Sequence, residues 1–278
     1  MKNITKRAIT GAIYILVILA AIFIHPTVTI IIFAAINLLA LNEFYKNTAL
    51  IGVKPQSFVG YIISIIIFST LFFPSLGLHH TGLAVFCFVI ALIGFALTLC
   101  LELFRKSENP FTNVGYTFAG LMYITLPFAL MTLIHLGEPS QPINLLSLFI
   151  FAWCNDTFAY LVGCKWGKHR LFERISPKKS WEGFCGGLIA TLVAGVVIWL
   201  FYKDASTNQS SVLYWLGLAL LMSVFGTLGD LVESMFKRQV GVKDSGNILP
   251  GHGGILDRFD VFFIAIPIIY IYFAVFNY

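Results

Sequence analysis

The sequence predicts an all-α polytopic membrane protein of about nine transmembrane helices, with a cytoplasmic N-terminus and an extracytoplasmic C-terminus. Three observations carry that prediction. Hydrophobic residues fill 58% of the 278 positions and charged residues only 11%, whereas a soluble domain carries about 25% charged residues. Apolar runs of membrane-crossing length recur along the chain. The basic residues fall almost entirely on one side of those runs.

A spanning helix needs about 20 apolar residues, within a range of roughly 17–25. Runs of this kind cover 8–24, 27–45, 58–73, 82–103, 114–136, 144–163, 183–202, 212–235 and 259–276. The first follows a basic start and reads either as a signal peptide or as a span. No small-x-small cleavage site follows it, and the run stops at His25-Pro26, which favours a span closing tightly onto the second. Pro127 predicts a kink in the fifth run. Neither an internal repeat nor a soluble second domain is evident. Residues 1–278 therefore read as one integral membrane domain, with N-terminal spans in 1–140 and a C-terminal half in 141–278.

With nine spans, every Lys and Arg except Lys203 falls on the side of the N-terminus. This bias sets that side as cytoplasmic. Much of the charge needs no role beyond orientation. The remainder suits an anionic lipid surface or anionic substrates rather than nucleic acid. Cys87, Cys100, Cys154, Cys164 and Cys185 lie in or beside apolar runs. Their odd number argues against a disulfide framework, and their spacing matches no zinc site.

Chemistry concentrates in three cytoplasmic clusters and in one carboxylate set deeper in the membrane. Asp156, beside Asn155, sits within the sixth run. A carboxylate inside a helix bundle costs roughly 2.5 kcal/mol or more, so it predicts either an internal packing bond or a water-filled cavity. The eighth run ends with Asp230, Glu233, Ser234, Lys237 and Arg238. On a helix Asp230, Ser234 and Lys237 share a face, and Ser223, Gly226 and Thr227 extend its polar stripe. An aspartate at a helix C-terminal end opposes the macrodipole unless a cation is nearby. Next comes a glycine-rich loop, Pro250-Gly251-His252-Gly253-Gly254, then Asp257, Arg258 and Asp260. Glycines let backbone N–H groups approach a phosphate. Asp257 can cap the ninth helix and still offer an oxygen to a metal. Asp230 and Asp257 together suit Mg²⁺, which takes carboxylates plus substrate phosphates.

The third cluster, GCKWGKHRLFERISPKKSWEGF, brings Lys165, Lys168, His169, Arg170, Arg174, Lys178 and Lys179 ahead of the seventh run. Ser176-Pro177 reads as an N-cap followed by proline at the first helical position. That would place Lys178, Lys179 and Ser180 at an anion-holding helix N-terminus. All three clusters suit phosphate. Phosphoryl or nucleotidyl transfer relies on charge neutralisation and positioning more than on a protein nucleophile. No P-loop or nucleophile elbow is present.

These residues resemble a known signature. The spacing of Ser234, Lys237, Arg238, Lys243, Asp244, Pro250-Gly251-His252-Gly253-Gly254, Asp257, Arg258 and Asp260 is similar to that of the phosphatidate cytidylyltransferases, or CDP-diacylglycerol synthases. Asp230, the Ser176–Gly183 block and the Asn155-Asp156 pair fit as well. The N-terminal half matches only in hydrophobicity and in details such as Asn42-Glu43-Phe44-Tyr45. The resemblance implies that CTP and phosphatidic acid give CDP-diacylglycerol and pyrophosphate, for phospholipid biosynthesis at the cytoplasmic face of the cell membrane.

It also implies roles. Asp230 and Asp257 would hold Mg²⁺, as one ion or two, with a monovalent cation left open. Ser234, Lys237 and Arg238 would hold phosphate. His252, Gly253 and Gly254 would position the triphosphate. Lys178, Lys179 and Ser180 would contact phosphates of either substrate. Asp156 would line the cavity, while Lys243, Asp244, Arg258 and Asp260 would organise the loop by ion pairing. A homodimer among membrane lipids is implied too. A CTP-dependent polyprenol kinase and an ion-coupled transporter are the alternative classes.

Overall fold

The computed structural model describes residues 2–72, 82–137, 142–205, 208–248 and 253–276. All nine apolar runs are helical over most of their described residues, with Ile24, Leu71 and Gly82 outside the helices, and the protein is an all-α polytopic membrane protein. Among the described residues, six helices are long and apolar enough to cross a bilayer: Pro26–Ala49, Pro110–Leu136, Pro142–Trp166, Trp181–Tyr202, Val212–Val240 and Leu256–Phe276. Two shorter apolar helices are Ile9–Phe23 and Ser57–Thr70. Large apolar side chains such as Phe104, Phe111 and Phe201 are exposed, as lipid-facing residues are.

The chain divides into two units. One comprises Met1–Ser140 with Gln239–Arg258, and the other Gln141–Arg238 with Phe259–Tyr278. The signature loop after the eighth run therefore belongs with the N-terminal spans.

In the first unit, α1 (Lys2–Phe23) and α2 (Pro26–Ala49) are separated by a two-residue break. His25 is extended and its Nδ1 accepts the N–H of Thr27, while Pro26 takes the position where no helical N–H is needed. α3 (Ser57–Thr70) and α4 (Leu83–Arg105) follow. α5 (Pro110–Gly120) then runs through a π turn at Leu121–Thr125 into α6 (Leu126–Leu136). Where the sequence predicts a kink at Pro127, the structure shows this π turn just before the proline. Proline has no N–H to donate and its ring crowds the preceding turn, so the ladder shifts to i→i+5, with Leu126 N–H bonded to Leu121 O.

Polar pins lock this apolar core. Asn37 Nδ2 donates to Ser64 Oγ at 2.6 Å, and Tyr45 OH to Thr117 O at 2.7 Å. Buried Glu102 accepts from Gln56 Nε2 (2.6 Å), Asn113 Nδ2 (2.8 Å), Ser107 Oγ (2.5 Å) and Arg105 Nη1 (3.0 Å). Four donors, one of them charged, offset the cost of taking its charge out of water.

The second unit contains α7 (Pro142–Trp166), a hairpin of β1 (Arg170–Phe172) and β2 (Ser176–Ser180), α8 (Trp181–Tyr202), α9 (Val212–Val240) and most of α10 (Leu256–Phe276). α7 and α8 approach closely along a stripe of small residues. A Cβ at Gly183 would lie 2.7 Å from Ala159 O, and one at Gly187 would lie 2.7 Å from Asn155 Oδ1. α9 and α10 meet in the same way at Gly229, where a Cβ would lie 2.5 Å from Asp260 O. Such residues let membrane helices touch backbone to backbone. Tyr214, Trp215, Phe149, Phe259 and Phe262 fill the interior. Asn144 Oδ1 accepts from Gln209 Nε2 and Tyr214 OH at 2.9 and 3.1 Å.

Candidate active site

The second unit holds a cavity of about 550 Å³ between α7, the β-hairpin, the start of α8 and the middle of α9. Asp156, Arg170, Lys178, Lys179, Ser180 and Asp230 line it. Cations and carboxylates share a space that the α7–α8 contact bounds on one side.

The hairpin sets the cations, and here the structure corrects the sequence-based expectation. Ser176-Pro177 does not begin a helix. Residues 176–180 form a strand antiparallel to β1, with Arg170 opposite Ser180. The helix starts only at Trp181, whose N–H is engaged by His169 O at 3.0 Å. Ser180 is the N-cap, extended at φ −126°, with its Oγ accepting the N–H of Gly183 at 3.1 Å. Strand pairing outweighs the Ser-Pro signal because hairpin and cap together satisfy more backbone groups. Glu182, in the first turn of α8, accepts the N–H groups of Lys168 and His169 at 3.1–3.2 Å and touches His169 Nδ1 at 2.5 Å. The hairpin is thereby tied to the helix start, and Lys178, Lys179 and Arg170 are held in the cavity wall.

Asp230 is not at a helix end, as its sequence context had suggested. α9 continues to Val240, so the carboxylate lies almost three turns inside. Its local compensation is an ion pair with Lys179 and a 3.3 Å hydrogen bond from Ser234 Oγ. Lys237, further along the same unbroken helix, pairs with Glu233 one turn back, both side chains being largely buried. Arg238 is exposed near the end of α9.

Asn155 and Asp156 divide the two roles that the sequence left open. Asn155 is buried and makes the packing bonds: its Oδ1 accepts from Ser223 Oγ at 2.7 Å, and its Nδ2 donates to Thr227 Oγ1 at 3.4 Å. The predicted stripe on α9 is the partner of this residue. Asp156 is exposed to the cavity. Asp260, at the start of the α10 segment in this unit, lies in the electrostatic field of Asp230, Glu233 and Asp156. From α10 it thus faces the carboxylates of α7 and α9, with its Oδ1 accepting the N–H of Val261 at 2.8 Å.

The loop residues belong to the first unit. Three donors converge on Asp257 Oδ2: Ser245 N (2.9 Å), Ser245 Oγ (2.9 Å) and Gly254 N (2.8 Å). Gly253 adopts φ +82°, and a Cβ there would lie 2.7 Å from Asp257 Oδ2. Only glycine permits both the left-handed backbone and that approach. Lys243 and Asp244 lie on the same loop, and Arg258 N–H bonds Ile255 O at 3.0 Å. His252 and the Pro250-Gly251 pair lie outside the described residues. Sequence reasoning missed Glu43, a buried carboxylate on α2 that accepts the N–H groups of Ile255 and Leu256 at 3.0 Å each. Its signals were an acidic residue inside an apolar run and its place in the Asn42-Glu43-Phe44-Tyr45 match, neither of which assigned it a role.

Hard carboxylate oxygens beside basic side chains suit Mg²⁺ together with phosphate. Among the described residues, no three His, Cys, Asp or Glu side chains gather as a complete ligand set. An ion held by one or two of these carboxylates would take its other ligands from phosphate and water, which is how Mg²⁺ is ordinarily held.

The chain is thus of the class of membrane-embedded helical proteins, here with cations, carboxylates and a capped helix start around one cavity, groups whose chemistry suits phosphate. Comparison with known proteins narrows that class. The cytidylyltransferase family model matches residues 5–276, and the chain belongs to that family. It is 33% identical to the phosphatidate cytidylyltransferase of Bacillus subtilis (strain 168) over the full length of both chains. The phosphatidate cytidylyltransferase of Staphylococcus aureus (strain COL) is 41% identical over 174 residues, covering 62% of this chain and 64% of that protein. The match to the Staphylococcus saprophyticus protein of the same name is 40% over 177 residues, again covering 64% of its length.

Proposed function

We propose that this chain transfers the cytidylyl group of CTP to phosphatidic acid, releasing pyrophosphate and forming CDP-diacylglycerol for phospholipid biosynthesis. A phosphatidate oxygen attacks the α-phosphorus of CTP, and the bond from that phosphorus to the bridging oxygen of the β-phosphate breaks. The observation that carries this reading is the cavity in which Arg170, Lys178 and Lys179 face Asp156 and Asp230. Both substrates are phosphate anions, and one must enter from the lipid.

Mg²⁺, when bound, would neutralise phosphate charge as the leaving group forms. Asp230 is proposed to hold Mg²⁺ in the second unit, and Asp257, which Ser245 and Gly254 hold in place, to hold Mg²⁺ in the first. Arg170 and Lys178 attract and orient the anions. Lys179 holds Asp230 in place until phosphate arrives. Ser234 orients the same carboxylate, and Lys237 and Arg238 add positive charge along α9. Gly253, Gly254 and His252 are proposed to position the triphosphate. The one-sided Lys and Arg distribution supports nine crossings with these groups facing the cytoplasm of the cell membrane. We further propose a homodimer.

The test is the fate of label. Purified protein in lipid micelles receives phosphatidic acid, Mg²⁺ and CTP labelled at either the α- or the γ-phosphate. The reading requires α-label in the lipid, γ-label in pyrophosphate, and loss of both with EDTA. Transfer of γ-label to an alcohol lipid would instead establish a kinase.

A further inference from the structure

We propose that Glu43 is a positioning residue for Asp257, acting from the N-terminal spans on the loop that opens α10. The proposal rests on Asp257 serving the reaction as set out above. Helix α10 begins at Leu256, and the residue before it is Ile255, whose side chain cannot accept a hydrogen bond. The first N–H groups of a helix need acceptors from outside it. Glu43 supplies them from more than 200 positions away in sequence: Oε1 accepts Ile255 N–H and Oε2 accepts Leu256 N–H. Glu43 as a whole is only 4% exposed.

The same α2 also holds the other end of the loop. Ser245 Oγ lies 3.1 Å from Glu43 Oε2, and Asn47, one turn further along α2, donates to Ser245 O at 2.8 Å. Ser245 in turn gives its N–H and reaches with its hydroxyl to Asp257 Oδ2. A hydroxyl has one proton, so Glu43 and Asp257 compete for it and are coupled through it. Side chains at Gly246 or Gly254 would collide with the Glu43 carboxylate, so the loop is built to close around it. The two amides that Glu43 holds are the pair directly preceding Asp257. Releasing them loosens the turn that aims that side chain.

The experiment compares Glu43→Gln, Glu43→Ala and Ser245→Ala with wild type in purified full-length protein. Two quantities are read: amide hydrogen exchange at Ile255 and Leu256 without metal, and the Mg²⁺ concentration for half-maximal transfer. Gln keeps one acceptor oxygen, so one of the two amides should exchange about five- to tenfold faster, the factor for one lost buried hydrogen bond. Half-saturating Mg²⁺ should rise severalfold while the KM for CTP changes less. Ser245→Ala should shift the Mg²⁺ requirement in the same direction without exposing those two amides. Unchanged exchange in Glu43→Gln would overturn the clamp. Faster exchange with an unchanged Mg²⁺ requirement would overturn the positioning role. Full activity of Asp257→Asn would instead remove the functional reading of Asp257, and leaves the exchange result to decide the clamp by itself.

Discussion

Gly187→Ala isolates the α7–α8 contact on which the cavity depends. The added Cβ would lie 2.7 Å from Asn155 Oδ1, 2.8 Å from Asn155 O and 3.1 Å from Ala159 Cβ. Ordinary contact begins near 3.4 Å, so against the backbone carbonyl the helices must part by about 0.6 Å. That carbonyl belongs to a helix and cannot rotate aside. Overpacking of this kind costs about 1–3 kcal/mol. If Asn155 swings to escape, it loses the 2.7 Å bond from Ser223, worth about 1 kcal/mol. The expected loss is about 2–3 kcal/mol, read as a fall in Tm of roughly 5–10 °C in detergent. Asp156 neighbours Asn155 in the cavity wall, so kcat/KM should drop about tenfold or more, because small misplacements are expensive in group transfer. Gly115→Ala is the control. Its Cβ would meet nothing within 4 Å, and removing a helical glycine should raise stability by about 0.5–1 kcal/mol. A Gly187→Ala protein as stable and active as wild type would refute the argument.

Other substitutions probe separate links. Ser180→Ala removes the acceptor for Gly183 N–H and should cost about 1 kcal/mol of stability by thermal unfolding. Arg170→Gln and Lys178→Gln should each raise substrate KM severalfold, with kcat changed far less, since these side chains attract and orient anions; steady-state kinetics at two salt concentrations would check this. Glu102→Ala strands donors from Gln56, Asn113, Ser107 and Arg105. It should cost about 3 kcal/mol or more, while the KM values of whatever folds remain those of wild type.

The helices were legible because an apolar run of spanning length has few alternatives. Their ends were less so. Asp230 was read as a helix end because the run turns polar there, yet α9 continues through Glu233 and Lys237, which form an i,i+4 pair on it. The β-hairpin was hidden because Ser-Pro-Lys-Lys-Ser has no alternating apolar pattern, and Ser176-Pro177 imitates a helix start. What decides the matter is His169 O meeting Trp181 N–H, a pairing set by tertiary structure. The carboxylates of the candidate site could be named from the sequence because charge within an apolar chain stands out. Their partners could not. Lys179 reaches Asp230 across 51 positions, and Glu43 reaches Leu256 across 213. No local rule connects residues so far apart.

The most direct measurement is α-label transfer from CTP to phosphatidic acid by wild type and Asp230→Asn side by side, with matched thermal unfolding showing both to be folded. Wild type should move label into lipid in a Mg²⁺-dependent way. Asp230→Asn should lose about a hundredfold or more of that rate, the scale for removing a group that stabilises transition-state charge. Comparable transfer by the two proteins would contradict the placement of the reaction in this cavity.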